Sequence, residues 1–151
     1  MDYFYRSLEI REEIGNKSGI AASFSNVGGT YFEKCDYEKA AEYFEKSLSI
    51  AKEIGLGADS LIWSVVGLNL TYKQLSKAYD LEEIQSIIKK AKNIEFILNN
   101  DLYHLLEDNS YLETAFNQIQ ELANNLEPDV AAKFLSYPIP KAIVEEWEKV
   151  K

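Results

Sequence analysis

A 13-residue stretch occurs twice in this chain, 40 residues apart. Residues 3–15 read YFYRSLEIREEIG, and residues 43–55 read YFEKSLSIAKEIG. When residues 3–16 are aligned with 43–56, eight of fourteen positions are identical, whereas unrelated sequences would share about one. A period between roughly 20 and 50 residues is typical of solenoids, in which copies of one structural unit stack on their neighbours. The repeat therefore restricts the chain to architectures that are built by stacking.

Each copy is predicted to be an α-helix. In the second copy, Ala40, Phe44 and Leu48 recur at the spacing of one helix face. Gly55 ends this helix, and Gly15 ends the first, because glycine readily adopts the left-handed conformation that follows many helices.

A further helix is predicted between the two copies. Ile20, Phe24, Val27 and Tyr31 form its apolar stripe, and the chain turns at Cys35-Asp36 before the second copy begins. The repeating unit is therefore a helix, a tight turn and a second helix.

This unit resembles the tetratricopeptide repeat. The resemblance lies in an aromatic position, a small residue beside an aliphatic one, a tyrosine, an Asp-Tyr pair, and small and aromatic positions after it: Phe24, Val27, Gly28, Tyr31, Asp36, Tyr37, Ala40, Phe44 and Ser47. Trp63, Val66, Gly67 and Leu70 repeat its first half. The 40-residue period is similar to the extended repeats of kinesin light chains and bacterial signalling proteins.

The resemblance implies an all-α fold, a right-handed α–α superhelix that closes with C-terminal capping helices. Gly28 and Gly67 would allow the paired helices to approach closely, and the aromatic residues Phe24 and Trp63 would fill the gap between them. Cys35 stands where the family has glycine, so we expect this turn to be either strained or different in shape.

We expect one domain of five parts. These are an orphan second helix of a truncated repeat (1–15), a complete repeat (18–55), a divergent repeat (58–98), a degenerate helical pair (100–126) and a C-terminal cap (128–151). Because the chain opens in the middle of a unit, we also expect it to be the C-terminal part of a longer array.

Several boundaries in the second half can be predicted from the pattern. Apolar residues from Ile84 to Leu98 predict a single helix, and Ser110 is predicted to cap the next helix, whose inner face includes Leu122. Pro128 is expected in the first turn of a helix that Glu127 or an earlier residue caps. The YPIP sequence at 137–140 predicts an extended joint before a closing helix.

The resemblance also implies a concave groove that binds a peptide segment of another protein. Its positions map onto Ala22, Ser25, Asn26, Gly29, Phe32, Glu33, Leu61, Ser64, Leu68, Thr71 and Tyr72. Asn26 matches the asparagine with which the family holds a peptide backbone, since an amide both donates and accepts hydrogen bonds. Val65 occupies the corresponding place in the next unit. The alternative is that Asn26 holds no ligand and is either a solvated helix residue or bonded to the neighbouring helix pair.

Three functions fit this pattern. The first is a non-enzymatic interaction module for a protein or peptide partner. The second is a structural spacer, or an element that self-associates through the N-terminal helix. The third is a regulatory sensor domain attached to a cyclase or kinase.

The charge balance disfavours some partners. The chain has 25 acidic and 16 basic residues, a formal net charge of −9, which repels nucleic-acid backbones and anionic membranes. No apolar run approaches the roughly 20 residues that span a bilayer, and the start does not resemble a secretory signal. We therefore expect a cytoplasmic protein with no nucleic-acid or membrane partner.

No residue pattern indicates catalysis, a metal site or a cofactor. Cys35 and His104 are the only residues of their kinds, too few for a metal site of cysteine and histidine. The pairs Glu82-Glu83 and Glu145-Glu146 are adjacent on predicted helices, where neighbouring side chains point in different directions. We therefore expect no enzymatic activity.

Overall fold

Nine α-helices account for most of residues 2–151, the part of the chain that the computed structural model describes; side chains are described from Arg6 onward except for Leu8. No β-strand occurs among these residues, which confirms the all-α fold. The helices are α1 (Asp2–Glu13), α2 (Lys17–Glu33), α3 (Tyr37–Glu53), α4 (Ala58–Gln74), α5 (Leu81–Lys90), α6 (Phe96–Leu106), α7 (Asn109–Asn124), α8 (Pro128–Leu135) and α9 (Pro138–Val150). None of the helices described combines the length and the hydropathy that a membrane crossing requires.

The helices form two compact units. The first unit, Met1–Lys92, contains α1 to α5, and each of its helices packs against the next one along the chain. The second unit, Asn93–Lys151, contains α6 to α9, and α7 packs against the other three helices.

Phe44 on α3 is the packing centre of the first unit. Its side chain is buried, and its ring lies against two glycines, Gly28 on α2 and Gly67 on α4. A methyl group added to Gly28 would lie 2.9 Å from the ring, and one added to Gly67 would lie 2.5 Å from it. Both distances are too short for carbon atoms in contact, so glycine is required for the three helices to pack at this distance. The role predicted for the two glycines is confirmed.

The turn at Cys35 adopts the left-handed backbone conformation, with φ 59°. The N–H of Cys35 donates to the carbonyl of Phe32, and that of Asp36 donates to the carbonyl of Tyr31, as in a helix end of the Schellman type. Gly15 and Gly55 end α1 and α3 with φ near 68°. A side chain in this conformation costs about 1 kcal/mol, so the strained form of the turn is the one observed.

The helix expected from Ile84 through Leu98 is wrong. Helix α5 ends at Lys90, Ala91 is extended with ψ 137°, and Leu98 lies in α6. Side chains bind the backbone of the break: a carboxylate oxygen of Asp59 accepts from the N–H of Lys92 at 2.7 Å. The side-chain amide of Gln118 also donates to the carbonyl of Ile94 at 2.8 Å, so both bonds satisfy backbone groups that are outside a helix.

Two boundaries in the second unit also differ from expectation. Asp108, rather than Ser110, caps α7, because its carboxylate accepts from the N–H of Ser110 at 2.9 Å. The extended joint predicted at YPIP is also wrong, since α9 begins at Pro138 and includes Pro140 in its first turn. The N–H groups of a first turn have no partner within the helix, so proline removes nothing there. Pro128 opens α8 in the same way, as expected.

The second unit has its own core. Leu112, Ala115 and Ile119 on α7 meet Ile143 on α9, and all four side chains are fully buried. Partly buried side chains pack around this cluster, including the ring of Trp147. Leu122, which was expected on this inner face, is 46% exposed.

Candidate functional site

Helices α2 and α4 are held together by serine hydroxyls. Ser64 Oγ on α4 lies 2.9 Å from Ser25 Oγ on α2 and 2.9 Å from Ser47 Oγ on α3. The Ser47 hydroxyl also lies 2.8 Å from the backbone oxygen of Ala21, to which it hydrogen-bonds. These small side chains join three helices, so the structure brings together the two helices that were predicted to form the groove.

A cleft of about 180 Å³ lies between the first halves of α2 and α4. Its walls include Ala22, Ser25 and Ser60, whose side chains are small, and the ring of Trp63. Trp63 is 40% exposed and Ser60 is also exposed, so the cleft opens to solvent. Hydroxyl groups beside an open aromatic face offer both hydrogen bonds and a stacking surface to a ligand.

Asp59 supplies a carboxylate to the same cleft. One of its oxygens accepts from the N–H of Lys92, which fixes the side chain at the start of α4. The cleft thus has an acidic group at its edge.

Asn26 is exposed on α2, one residue along from Ser25. Its backbone oxygen accepts a hydrogen bond from the Thr30 hydroxyl at 3.0 Å. Val65, which corresponds to Asn26 in the next unit, is fully buried. The exposed amide of Asn26 therefore has no counterpart at that position on α4.

The other predicted groove residues differ in their exposure. Gly29, Phe32, Leu61 and Leu68 are half-buried and Glu33 is exposed. Ser64 and Thr71 are buried, and the Thr71 hydroxyl donates to the carbonyl of Gly67 at 2.7 Å. Thr71 has no surface to offer a ligand in this conformation.

Tyr72 lies away from the cleft. Its hydroxyl donates to the carboxylate of Glu45 on α3 at 2.6 Å, and this bond raises the pKa of Tyr72 to about 12. Tyr72 and Leu68 line a second cavity of about 560 Å³ at the turn between α4 and α5, together with Tyr79 and Asp80. Of the eleven predicted groove residues, three line the cleft and two line this second cavity, and neither lining includes the other six, Asn26 among them.

Trp63 was expected to fill the gap between helices, as Phe24 does by packing 5.9 Å from the ring of Tyr43. The difference lies in α5, as an alignment of Asp80 with Asp36 shows. Asp36 precedes Tyr43 by seven residues, and Ile87 stands seven residues after Asp80, so α5 offers an aliphatic residue where α3 has an aromatic one. The absence of this aromatic partner is the sequence signal that would have indicated an open Trp63.

The cysteine, the histidine and the paired glutamates each have their own surroundings. Cys35 is exposed in the turn after α2, and His104 is exposed on α6. The carboxylate of Glu83 forms an ion pair with the ammonium group of Lys52 at 2.9 Å. Lys149 lowers the pKa of Glu146, while Lys141 lies 3.8 Å from Glu145. Among the described residues, no group of three or more metal-binding side chains is close enough to hold an ion.

Paired helices joined by tight turns define this chain as a helical-repeat protein. Residues 2–53, which hold α1, α2 and α3, match the model of the tetratricopeptide repeat family. Over residues 2–53 the chain thus matches the tetratricopeptide repeat, as its sequence pattern indicates, and such repeats are characteristic of protein-interaction modules.

The chain is also similar to response regulator aspartate phosphatase A of Bacillus subtilis (strain 168). The two are 30% identical over 101 residues, which is 66% of this chain and 26% of the relative. The chain therefore spans about a quarter of the length of the curated relative it matches. No solved structure matches the chain significantly.

Proposed function

We propose that the chain binds a peptide segment of another protein in the cleft between α2 and α4. The observation that carries this proposal is the cleft itself, which is open to solvent and lies between two helices joined by the Ser25–Ser64 contact. The tetratricopeptide repeats of residues 2–53 support a protein partner.

The side chains of the cleft favour an extended segment with a large side chain at one position. The ring of Trp63 gives a stacking surface, and the small residues Ala22 and Ser60 leave space beside it. Asn26 is exposed on the same helix as Ala22, where its amide pairs with a peptide bond whatever the neighbouring side chains are.

A displayed library of random peptides tests this proposal. Peptides enriched on the wild-type chain should bind Trp63→Ala about tenfold more weakly, because truncating an aromatic anchor commonly removes more than 1 kcal/mol. Asn26→Ala should weaken binding by a smaller factor. Asn117→Ala, an exposed asparagine of the second unit, is the matched control. Enriched peptides that bind all three variants equally would contradict the proposal.

A regulatory role is the second candidate, and the relative's name supports it. If peptide binding controls a signalling protein, this chain supplies recognition and another region supplies chemistry. We therefore propose that the chain alone is not catalytic. A phosphorylated response regulator incubated with it should lose its phosphoryl group no faster than the regulator alone, as measured on a phosphate-affinity gel. Turnover that disappears in Cys35→Ala would contradict this.

Self-association is the third candidate, and α1 supports it. Ile10 is 58% exposed and Ile14 is 69% exposed, whereas their counterparts in the repeat, Ile50 and Ile54, are half-buried. An uncovered pair of isoleucines is a surface that a second chain can bury. Light scattering over a concentration series should then show a dimer that Ile14→Ser disrupts, and a constant monomer mass would exclude it.

A further inference from the structure

The second unit presents an exposed apolar surface at the end of α7. Leu122 is 46% exposed, Leu126 is 41% exposed and Val130 is 52% exposed. All three lie within nine residues that cover the last turn of α7 and the first turn of α8. Exposed aliphatic side chains concentrated in this way are typical of an interaction surface rather than of ordinary solvent-facing residues.

A cavity of about 470 Å³ adjoins this stretch. It lies between the start of α6 and the final turns of α7, and the apolar side chains of Phe96 and Leu122 line it. Gln118, Glu121 and Leu122 of α7 and Asn125, the residue that follows the helix, lie in the lining at the spacing of a single helix face. This face is separate from the one on which Ile119 contributes to the core.

The polar groups around the cavity are acidic or already bonded. Glu95 and Glu121 line it and both are exposed, while no lysine or arginine does. Gln118 donates to the backbone oxygen of Ile94 at 2.8 Å, and Asn125 donates to that of Glu121 at 3.0 Å. The cavity therefore combines an apolar floor with a negative rim.

The charge of the whole second unit has the same sign. Residues 93–151 contain eleven aspartates and glutamates against four lysines, a formal net charge of −7, and the unit thus carries most of the charge of the chain. Lys133 is the lysine of α8, one turn beyond Val130. A field of this sign attracts a basic partner and repels an acidic one.

A partner segment that docks on this surface must make its backbone hydrogen bonds within itself. The side chains of this surface belong to α6, α7, α8 and the residues next to these helices, and they offer no strand edge to which an extended segment could add, so a helix suits the surface better than a strand. We propose that this surface, Phe96, Leu122, Leu126 and Val130 with Glu95 and Glu121, docks a basic amphipathic helix of a partner protein. It is independent of the cleft in the first unit.

Labelled model helices test the proposal by fluorescence anisotropy with the full chain. The probe is a stapled amphipathic peptide of about five turns with leucine on one face and lysine on the other. A second peptide replaces each lysine by glutamate, and a third has the leucines and lysines scrambled so that no apolar face forms. The lysine peptide should bind at least about tenfold more tightly than either, and less tightly as salt rises from about 50 to about 200 mM.

Variants of the chain locate the binding. Leu122→Ser should weaken the lysine peptide about tenfold, and Ile139→Ser, which removes an equally exposed side chain on α9, should leave it unchanged. Glu121→Gln should weaken it about two- to fivefold and flatten the salt dependence, whereas Glu113→Gln on the same helix should not. Circular dichroism establishes that each variant is folded.

Three results would overturn the proposal. The first is equal binding of the lysine and glutamate peptides. The second is an equal effect of Leu122→Ser and Ile139→Ser. The third is a concentration-dependent dimer that Leu122→Ser abolishes while no peptide binds, since this would assign the surface to a second copy of the chain.

Discussion

The two units end their helices in different ways. In the first unit Gly15, Cys35, Gly55 and Ser76 all follow a helix with positive φ, and the same pattern of N–H to carbonyl bonds recurs at each turn. In the second unit Glu107 also follows a helix with positive φ, but its N–H donates to the carbonyl of Tyr103, four residues back, and α8 and α9 begin at Pro128 and Pro138. The repeated sequence thus has a repeated turn, whereas the divergent sequence begins and ends its helices with other residues and other hydrogen bonds.

The units differ as strongly in charge. Residues 1–92 contain fourteen acidic and twelve basic residues, a formal net charge of −2 against −7 for residues 93–151. The first unit presents a small, hydroxyl-lined cleft, and the second presents an apolar surface with a negative rim. The same type of helix pairing therefore supports two chemically distinct surfaces in one chain.

The largest expected effect is on the core of the first unit. Phe44→Ala removes the ring that lies against Gly28 and Gly67, and it should lower the free energy of unfolding by about 3–5 kcal/mol. Urea unfolding followed at Trp63 and Trp147 separately, by replacing one tryptophan at a time with phenylalanine, measures the effect in each unit. A loss seen equally at both positions would mean that the two units unfold as one.

A half-buried carboxyl group, that of Asp101, should make the second unit sensitive to pH. Burial raises the pKa of Asp101 from 3.8 to about 6. Because the pKa is higher in the folded state, folding favours the protonated form of Asp101. The stability that this preference contributes is present below about pH 4 and is lost as the pH rises through 6.

Asp101→Asn removes the ionisation, so it should stabilise the protein at pH 7 by about 3 kcal/mol and change little at pH 4. Thermal unfolding across this pH range measures the difference. Asp129→Asn, an exposed aspartate of the same unit, is the control. An equal effect of Asp101→Asn at both pH values would contradict the raised pKa.

Two glycines of the first unit should respond in opposite directions to the same change. A methyl group on Gly67 meets the Phe44 ring, so Gly67→Ala should destabilise the chain by about 1–2 kcal/mol despite the higher helix propensity of alanine. Gly29 has no atom within 4 Å of the added methyl group, so Gly29→Ala should stabilise by about 0.5–1 kcal/mol. Chemical denaturation measures both, and the same sign for the two would be inconsistent with the packing described.

The smallest effect is expected at the strained turn. Cys35→Gly should relieve the left-handed strain and stabilise the first unit by about 0.5–1 kcal/mol. Cys35→Ala keeps the strain, so it should change stability by less. A destabilising Cys35→Gly would show that the cysteine side chain contributes more than its backbone costs.

How far the fold could be predicted depended on whether its determinants are local. The period of 40 and the glycines at 28 and 67 predict the helix pairs and their close approach. The break after α5 could not be predicted, because Asp59 binds a backbone group 33 residues away. At YPIP the prolines predicted a boundary but not its form, because proline is compatible both with the first turn of a helix and with an extended joint.

The candidate site was predicted less completely. Ala22, Ser25 and Ser64 do line one cleft, yet Tyr72 lies at another cavity and Thr71 is buried. The exposure of Trp63 was indicated only by Ile87, the aliphatic residue that stands where the preceding unit has Tyr43.

The indole N–H signals of the two tryptophans test the central proposal most directly, because one tryptophan lies in each unit. When a library-selected peptide is titrated into isotope-labelled protein, the Trp63 indole signal should shift and saturate while that of Trp147 stays in place. A shift at Trp147 alone, or saturation without any change at Trp63, would contradict peptide binding in the cleft between α2 and α4.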